Sequence, residues 1–438
     1  MILNYFNAYI LYPAVEKKLN RDIQNKLKIL KNESTLSLAE REKITQTRLH
    51  AVLSSAQQNV PYYTDLFKEI DFHVDDILKD IRYLQELPYL TKEIIQEHGV
   101  RLLSQKLDRD SLHVRKTGGS TGISTSIYYD QSSLDWTSAV NLYAHSFTGR
   151  KHTDTEAYLS SELFQKVNLK ERWVQMVKSW AMNRKTLFTH SFTHKSLETL
   201  WKEIRQTRPF LIQGHPSTLY ALAKFVSETK QFDKEAIRVF ESTGESLDLR
   251  KIVEIESNLG CKVYNRYGTA EFGATAHSRE NPFELEVIDS IIHHETVSLG
   301  NGLEEIVGTT LTNPAMPLIR YRSGDIGQIE VRDGKKWITH LQGRIHDLIE
   351  IGGTPYPTHY LQDAFDRIGG VAEFQIAIRT SGRRVLNIVL EDLSKQDAIV
   401  AKAKELFSGE DIPVKFVKLE DLIRIGWRDK FRYVVKEA

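Results

Sequence analysis

The chain is poor in the residues that several common chemistries require. Its 438 residues include a single cysteine, Cys261. One thiol cannot form an intramolecular disulfide, and it excludes thiolate-rich zinc and iron–sulfur sites. A reducing, cytoplasmic setting fits best. Cys261 lies in an apparent strand with no motif around it, which disfavours a caspase- or papain-type protease. No H-E-x-x-H occurs, which disfavours a zincin. An excess of one charge is also missing, with 59 basic residues against 58 acidic ones and a net charge of +1. A nucleic-acid binder carries a strong basic excess, so that class is set aside. The N-terminal apolar run, MILNYFNAYILYPAVEKKLNR, is too short to span a bilayer and is interrupted by Asn4, Asn7 and Pro13. No transmembrane segment is expected, and no basic leader with a small-residue cleavage site frames a signal peptide. The run reads as a helix packed on its own domain, or as a weak membrane-surface anchor.

What is present is an ordinary globular balance, 41% hydrophobic and 27% charged. The length suggests two or three structural units. Residues 15–110 read as helical. Leu49, Val52, Leu53 and Ala56 share one helical face before Val60-Pro61 stops the run, and Thr91 suits an N-cap. From 110 to 340 strand-like and helix-like stretches alternate. Leu211–Gly214, Ile237–Glu241 and Cys261–Tyr264 read as strands, with helices over Leu219–Thr229 and Leu249–Leu259 between them. That pattern predicts an α/β sheet with ligands at the strand C-terminal ends. Glu304–Ile338 shows short alternating strands, expected as a β subdomain. The last hundred residues predict a small α+β unit, with strands at Phe374–Ile378 and Val385–Leu390 and a helix over Asp397–Leu406.

Five stretches carry chemistry. Thr117-Gly118-Gly119-Ser120-Thr121-Gly122 offers backbone N–H groups and hydroxyls that can wrap phosphate oxygens, though it is not a G-x-x-x-x-G-K-[ST] P-loop. Taken alone, an ordinary Gly/Ser turn reads equally well. Tyr264 to Glu271, read as following a strand, places a carboxylate where it can hold Mg²⁺ beside a phosphate, with a tyrosine ring able to stack on a base. Asp325, in Arg320-Tyr321-Arg322-Ser323-Gly324-Asp325, is suited to accept both hydroxyls of a ribose from a tight turn. The fourth stretch is Gly343-Arg344 with Asp347, Gly352 and Gly353, and the fifth is Lys430. Each is weak singly.

In order and spacing they closely resemble the adenylate-forming superfamily of acyl-CoA synthetases and nonribosomal adenylation domains. Within it the chain looks most like the phenylacetate–CoA ligase branch and its capsular-polysaccharide relatives. Asn59-Val60-Pro61-Tyr62-Tyr63, Leu87-Pro88-Tyr89-Leu90-Thr91-Lys92, Gly214-His215-Pro216-Ser217 and Thr243-Gly244-Glu245-Ser246-Leu247 add to the match, which runs from about Leu49 to Lys436.

The resemblance implies a large domain, 1–343, that binds ATP and acid, and a small mobile domain, 344–438. It implies that Thr117, Gly119, Ser120, Thr121 and Gly122 grip the ATP phosphates, and that Gly244, Glu245 and Ser246 line the adenine pocket. Tyr267, with Gly268 and Thr269, would lie against the base; Glu271 would hold Mg²⁺, and Asp325 and Arg344 would reach the ribose. Lys430 would bridge the acid carboxylate and the α-phosphate, His346 would stand at the hinge, and Tyr143, His215, Pro216 and Ser217 would shape the acid pocket. Trp136 and His145 are further candidates there. Ala270, Asp429 and His346 depart from the usual residues.

Three functions follow in turn: a ligase passing the acyl group to CoA, a ligase joining an acid to an amine or hydroxyl in surface-polysaccharide biosynthesis, and an inactive nucleotide-binding partner protein. A small-molecule carboxylic acid is the expected partner, and a homodimer stays open.

Overall fold

The computed structural model describes residues 2–116, 125–160, 169–188, 192–300, 302–344, 349–351, 354–356, 361, 364–365, 368–407, 410, 412–425 and 430–436. The Thr117–Gly122 loop and the hinge residues His346, Asp347, Gly352 and Gly353 lie outside them.

The helical start forms as expected. After α1 (Ile23–Glu33), Ser37 opens α2 (Leu38–Asn59) with a reciprocal cap: its hydroxyl accepts from the Glu40 amide, and its amide donates to the Glu40 carboxylate at 2.9 Å. Leu49, Val52, Leu53 and Ala56 are buried on one face, and Val60 turns extended ahead of Pro61. Thr91 caps the next short helix, accepting from the Ile94 amide. A third helix, α3 (Gln131–Ser146), is capped by Asp130.

Eleven strands among the described residues form one sheet. In chain order they are β1 (Glu156–Ser160), β2 (Arg184–Phe188), β3 (Leu211–Gly214), β4 (Val239–Thr243), β5 (Lys262–Thr269), β6 (Gly273–Ser278), β7 (Leu285–Val287), β8 (Ile292–Gly300), β9 (Leu303–Thr310), β10 (Tyr321–Arg332) and β11 (Lys335–Arg344). Their spatial order is β8-β9-β10-β11-β7-β6-β5-β4-β3-β1-β2. From β2 to β5 the neighbours run parallel. The central strands β3 and β4 are short and buried; α4 (Pro216–Thr229) and α5 (Leu249–Leu259) pack a core that includes Trp201, Tyr220 and Phe240.

The other half is antiparallel. Here expectation and structure differ. The strands expected as a β subdomain are present, longer than read, and are hydrogen-bonded into the same sheet. Tight turns make this arrangement natural. Asp333 and Gly334, both with positive φ, close the β10–β11 hairpin opposite Arg332 and Lys335, a two-residue turn whose twist matches its strands. The strand predicted at Ile237 also starts two residues later, at Val239, and β5 continues past Tyr264 to Thr269.

The C-terminal unit has its own sheet. β12 (Val371–Ile378) pairs antiparallel with β13 (Arg384–Leu390), and β14 (Val414–Phe416) and β15 (Val434–Lys436) add parallel strands on either side. Its core holds Phe365, Phe374, Ile388 and Phe407, with Ile399 and Ala403 of α6 (Gln396–Leu406) packed in.

Candidate active site

Three parallel strands end side by side. Gly214 of β3 lies opposite Ser242, and Thr243 of β4 lies opposite Arg266 of β5. Such carboxyl-end crevices are where open α/β sheets bind ligands. His215-Pro216-Ser217 follows β3 and starts α4, with Pro216 in the first turn where its missing N–H costs nothing. The His215 ring Nδ1 is 2.9 Å from the Thr243 carbonyl, which ties this turn to the neighbouring strand end. After β4 the chain reverses at Gly244, whose φ of +83° lies in the left-handed region that favours glycine. Asp248 then caps α5 by accepting from the Lys251 amide at 2.8 Å.

A cleft of about 680 Å³ opens at these tips. Its lining includes Gly244, Glu245 and Ser246, Tyr267 and Gly268, and Asp325, with Phe431 and Tyr433 from the C-terminal unit. That volume suits a nucleotide-sized ligand. Gly268 has a steric reason to be glycine. A Cβ there would stand 2.3 Å from the Gly273 carbonyl oxygen, because β5 and β6 pass closely at this point. The Tyr267 hydroxyl donates to Asp325 Oδ2 at 2.9 Å. Asp325 is not in a tight turn as predicted; it lies within β10, one residue after the positive-φ Gly324 and opposite Arg344 of β11.

Glu245 holds a position that the sequence does not reveal. Its carboxylate accepts from the Ser217 amide at 3.2 Å and from the Phe431 amide at 2.7 Å, joining the start of α4 to the C-terminal unit. Burial alone would push this carboxyl up, but His215, Arg424 and the hydrogen-bond donors outweigh it and hold it below its ordinary value. Arg424, from the C-terminal unit, also donates to the Ser217 hydroxyl at 3.3 Å.

Two further contacts cross the same seam. Lys251 of α5 sits 2.8 Å from the Glu373 carboxylate and donates to the Tyr433 hydroxyl at 2.9 Å, with all three groups buried. Burial would lower this lysine, yet Glu373, Tyr433 and Asp248 hold it well above its ordinary value. Arg250 bonds the Val371 carbonyl and pairs with Glu391 at 2.8 Å. None of Lys251, Glu373 or Tyr433 is picked out by the sequence reading. The available signal is a lysine in the first turn of an amphipathic helix, where a core-facing charge needs a partner.

The remaining candidates fall in different places. Thr269 accepts from the Phe272 amide at 3.2 Å, and Glu271 accepts from the Tyr321 hydroxyl at 3.2 Å. The Tyr129 hydroxyl fixes the turn between them by bonding the Ala270 and Glu271 carbonyls at 2.8 and 2.7 Å. No cluster of three or more His, Cys, Asp or Glu suited to a metal occurs among the described residues. A single carboxylate such as Glu271 is nonetheless a sufficient protein ligand for Mg²⁺ bound through substrate phosphates. Tyr143 packs in the apolar cluster with Ile23, Leu30 and Phe147, away from His215, Pro216 and Ser217. Lys430 pairs with Ile425 in a short hairpin strand, immediately before the residue that Glu245 holds. The side chains of Arg344 and Lys430 lie outside the described residues.

His145, buried on α3, belongs to a second polar cluster, shared with the sheet. Its ring nitrogens are 3.4 Å from Glu156 and 3.5 Å from Glu241. Glu241 also meets Arg266 at 3.3 Å, His277 at 3.0 Å and Gln213 at 2.5 Å, while Glu156 meets Arg150 at 3.1 Å and Arg184 at 2.5 Å. Burial pushes His145 down, but Glu241 and Glu156 outweigh it and hold the imidazole above its ordinary value. The two carboxyls are held well below theirs, against burial, by His145 and the arginines. As a core histidine of this cluster, His145 is occupied by the sheet's own carboxylates.

No family model matches the sequence. Among curated proteins, the chain is 21% identical over 279 residues to protein CapK of Staphylococcus aureus, covering 63% of this chain and 60% of that protein. It is 24% identical over 331 residues to a phenylacetate–coenzyme A ligase of Pseudomonas putida, covering 71% and 72%. Among solved structures, 2-hydroxyisobutyryl-CoA ligase in its postadenylation state, in complex with R3-HIB-AMP, superposes with a TM-score of 0.71 at 19% identity over 92% of this chain and 91% of that one.

Proposed function

We propose that this chain, phenylacetate–CoA ligase-like in sequence and with the fold of the adenylate-forming superfamily, activates a carboxylic acid with ATP and passes the acyl group to CoA. The observation that carries the reading is the Glu245 bridge. One wall of the nucleotide-sized cleft, at Glu245, holds the Phe431 amide, the residue next to Lys430, and the Tyr267–Asp325 hydrogen bond lines the same cleft, which supports a role for the lysine there.

In the first half-reaction a carboxylate oxygen of the acid attacks the α-phosphorus of ATP. The bond to the bridging oxygen breaks, and pyrophosphate leaves. Both reactants are anions, so the step needs cations and aligned donors. Lys430 would bridge the two reacting groups, Asp325 and Arg344 would take the ribose, and the Thr117–Gly122 loop would hold the phosphates. Mg²⁺, held by Glu271, would neutralise phosphate charge. In the second half-reaction the CoA sulfur attacks the acyl carbon, the thiol proton passes to solvent, and AMP leaves. Glu245 and Lys251 would hold the C-terminal unit in place for the first step, and rotation about His346 would release it for the second.

His215 and Ser217 at the strand tips would meet the acid. The test is product analysis after incubation with ATP, Mg²⁺ and aryl, fatty, amino or uronic acids, with and without CoA. AMP and pyrophosphate should form with one acid class, and a thioester should appear only when CoA is added. An amide or ester formed from an added amine or alcohol instead of a thioester would move the acceptor assignment. ATP binding without turnover of any acid would favour a nucleotide-binding partner protein.

A further inference from the structure

Residues 2–18 form a helical path that is amphipathic in the wrong sense for a free surface. Asn4, Asn7 and Glu16 are turned toward the protein. The Asn4 side-chain amide donates to the Thr153 carbonyl at 3.0 Å, and that of Asn7 to Asn183 Oδ1 at 2.9 Å. Glu16 is buried and accepts from the Gln24 amide at 2.8 Å. Most of its apolar side chains face outward: Ile2, Leu3, Tyr5, Phe6, Tyr9 and Ile10 are all exposed, Ile2 by 88% and Tyr9 by 66%, while Ala8 and Tyr12 are buried. Hydrogen bonding to the asparagines thus fixes the helix with its greasy side in solvent, the reverse of ordinary helix packing.

The neighbouring helix, Leu169–Ala181, continues the surface. It packs beside residues 7–18 and exposes Trp173, Met176 and Trp180 at a spacing that puts them on one stripe. Contiguous apolar patches of this kind mark interaction sites. Their chemistry selects the occupant. Tyrosine and tryptophan mixed with aliphatic residues are the composition of a membrane–water boundary. Lys17 and Lys18 lie exposed in the last turn of the same path, and Glu16 is the only acidic group among the described side chains of the two helices. With a net charge of only +1 over the whole chain, attraction to an anionic surface has to come from such a local patch. No helix among the described residues is long and apolar enough to cross a membrane, so the geometry is that of lying on one.

We infer that the outward face of residues 2–18, together with Trp173, Met176 and Trp180, docks the protein on an anionic lipid surface. The test is co-sedimentation of the full chain with vesicles of phosphatidylcholine, with and without phosphatidylglycerol. Binding should favour the anionic vesicles and weaken with salt. Tyr9→Ser with Ile10→Ser should cut it by about tenfold or more, and Lys17→Glu or Lys18→Glu by roughly fivefold each. All these positions are exposed and outside the cleft, so melting temperature and acid-dependent AMP formation in solution should stay unchanged. Failure to pellet with either vesicle, or pelleting undiminished in the Tyr9/Ile10 variant, would overturn the inference. A dimer in light scattering that the same variant abolishes, without vesicle binding, would assign the face to a second copy of the chain and overturn it equally.

Discussion

Two clusters of buried charge sit within one molecule and do different work. The Glu156–His145–Glu241–Arg266 cluster joins α3 to β1, β4 and β5 within the large unit. The Lys251–Glu373–Tyr433 and Glu245–Phe431 contacts lie on a seam between two units that each have their own core. The local physics is shared, since a desolvated charge must be paired and hydrogen-bonded. The consequence of breaking a pair differs. Glu241 and His145 are buried within the sheet, so the loss of a partner there should show in stability. On the proposal that the smaller unit rotates, a charge orphaned on the seam would be rehydrated by that rotation, and the loss should show in the domain arrangement instead.

The largest expected effect is on the sheet. Glu241→Ala leaves His145, Arg266 and His277 without their common partner and should cost about 3–5 kcal/mol of stability, read from denaturant unfolding. Lys251→Ala should separate the two behaviours. About 1–3 kcal/mol should appear as weakened closure of the seam, giving a roughly tenfold or larger fall in adenylation rate with a much smaller shift in melting than Glu241→Ala. If both variants unfold the protein equally, the seam is as rigid as the sheet.

The pH response sharpens the contrast further. His294, on β8, is pushed down to about 4 by burial and by Lys336, so it stays neutral in the folded state while the unfolded chain protonates it nearer 6.5. The unfolded state then binds more protons, so stability should fall as pH drops from about 6.5 to about 4, at about 1.4 kcal/mol per pH unit for this group. His294→Phe should flatten that limb in a melting series. The sheet cluster acts in two other windows. Its depressed carboxyls contribute stability above their unfolded values that is lost only as pH falls through the lower folded ones. The raised His145 contributes below about 6.5 and loses that contribution as pH rises through its folded value. The smallest effect is in the cleft, where Tyr267→Phe removes one hydrogen bond to Asp325 and should weaken ATP binding only a few-fold, measured by calorimetry.

Much of the frame is legible in local signals. The buried face of α2, the Thr91 cap, the apolar runs of β3 and β4 and the Gly244 turn all follow from spacing and residue type. The parts that are not legible depend on pairing across long sequence distances. Glu241 sits inside an apolar strand, and only its neighbours from β5, β6 and α3 explain the carboxylate there. The resemblance assigns Glu245 to the adenine pocket, but its hydrogen bond to Phe431, nearly two hundred residues away, leaves no local signal. The antiparallel strands are legible as a β subdomain, but alternation reveals a strand and not which sheet it joins. The Asn4 and Asn7 contacts had a similar fate: as breaks in an apolar run they look like defects, whereas in the fold they orient the helix.

The central proposal is that the cleft catalyses attack of a carboxylate on ATP and that Lys430 assists it. The most direct measurement is acid-dependent ATP–pyrophosphate exchange in the wild-type chain and in Lys430→Ala. Exchange that requires one class of acid and falls by about a hundredfold or more in the variant, with unchanged melting, is the expected result. Exchange at the wild-type rate in Lys430→Ala would contradict the assignment of the lysine, and the absence of exchange with every acid would contradict adenylation itself.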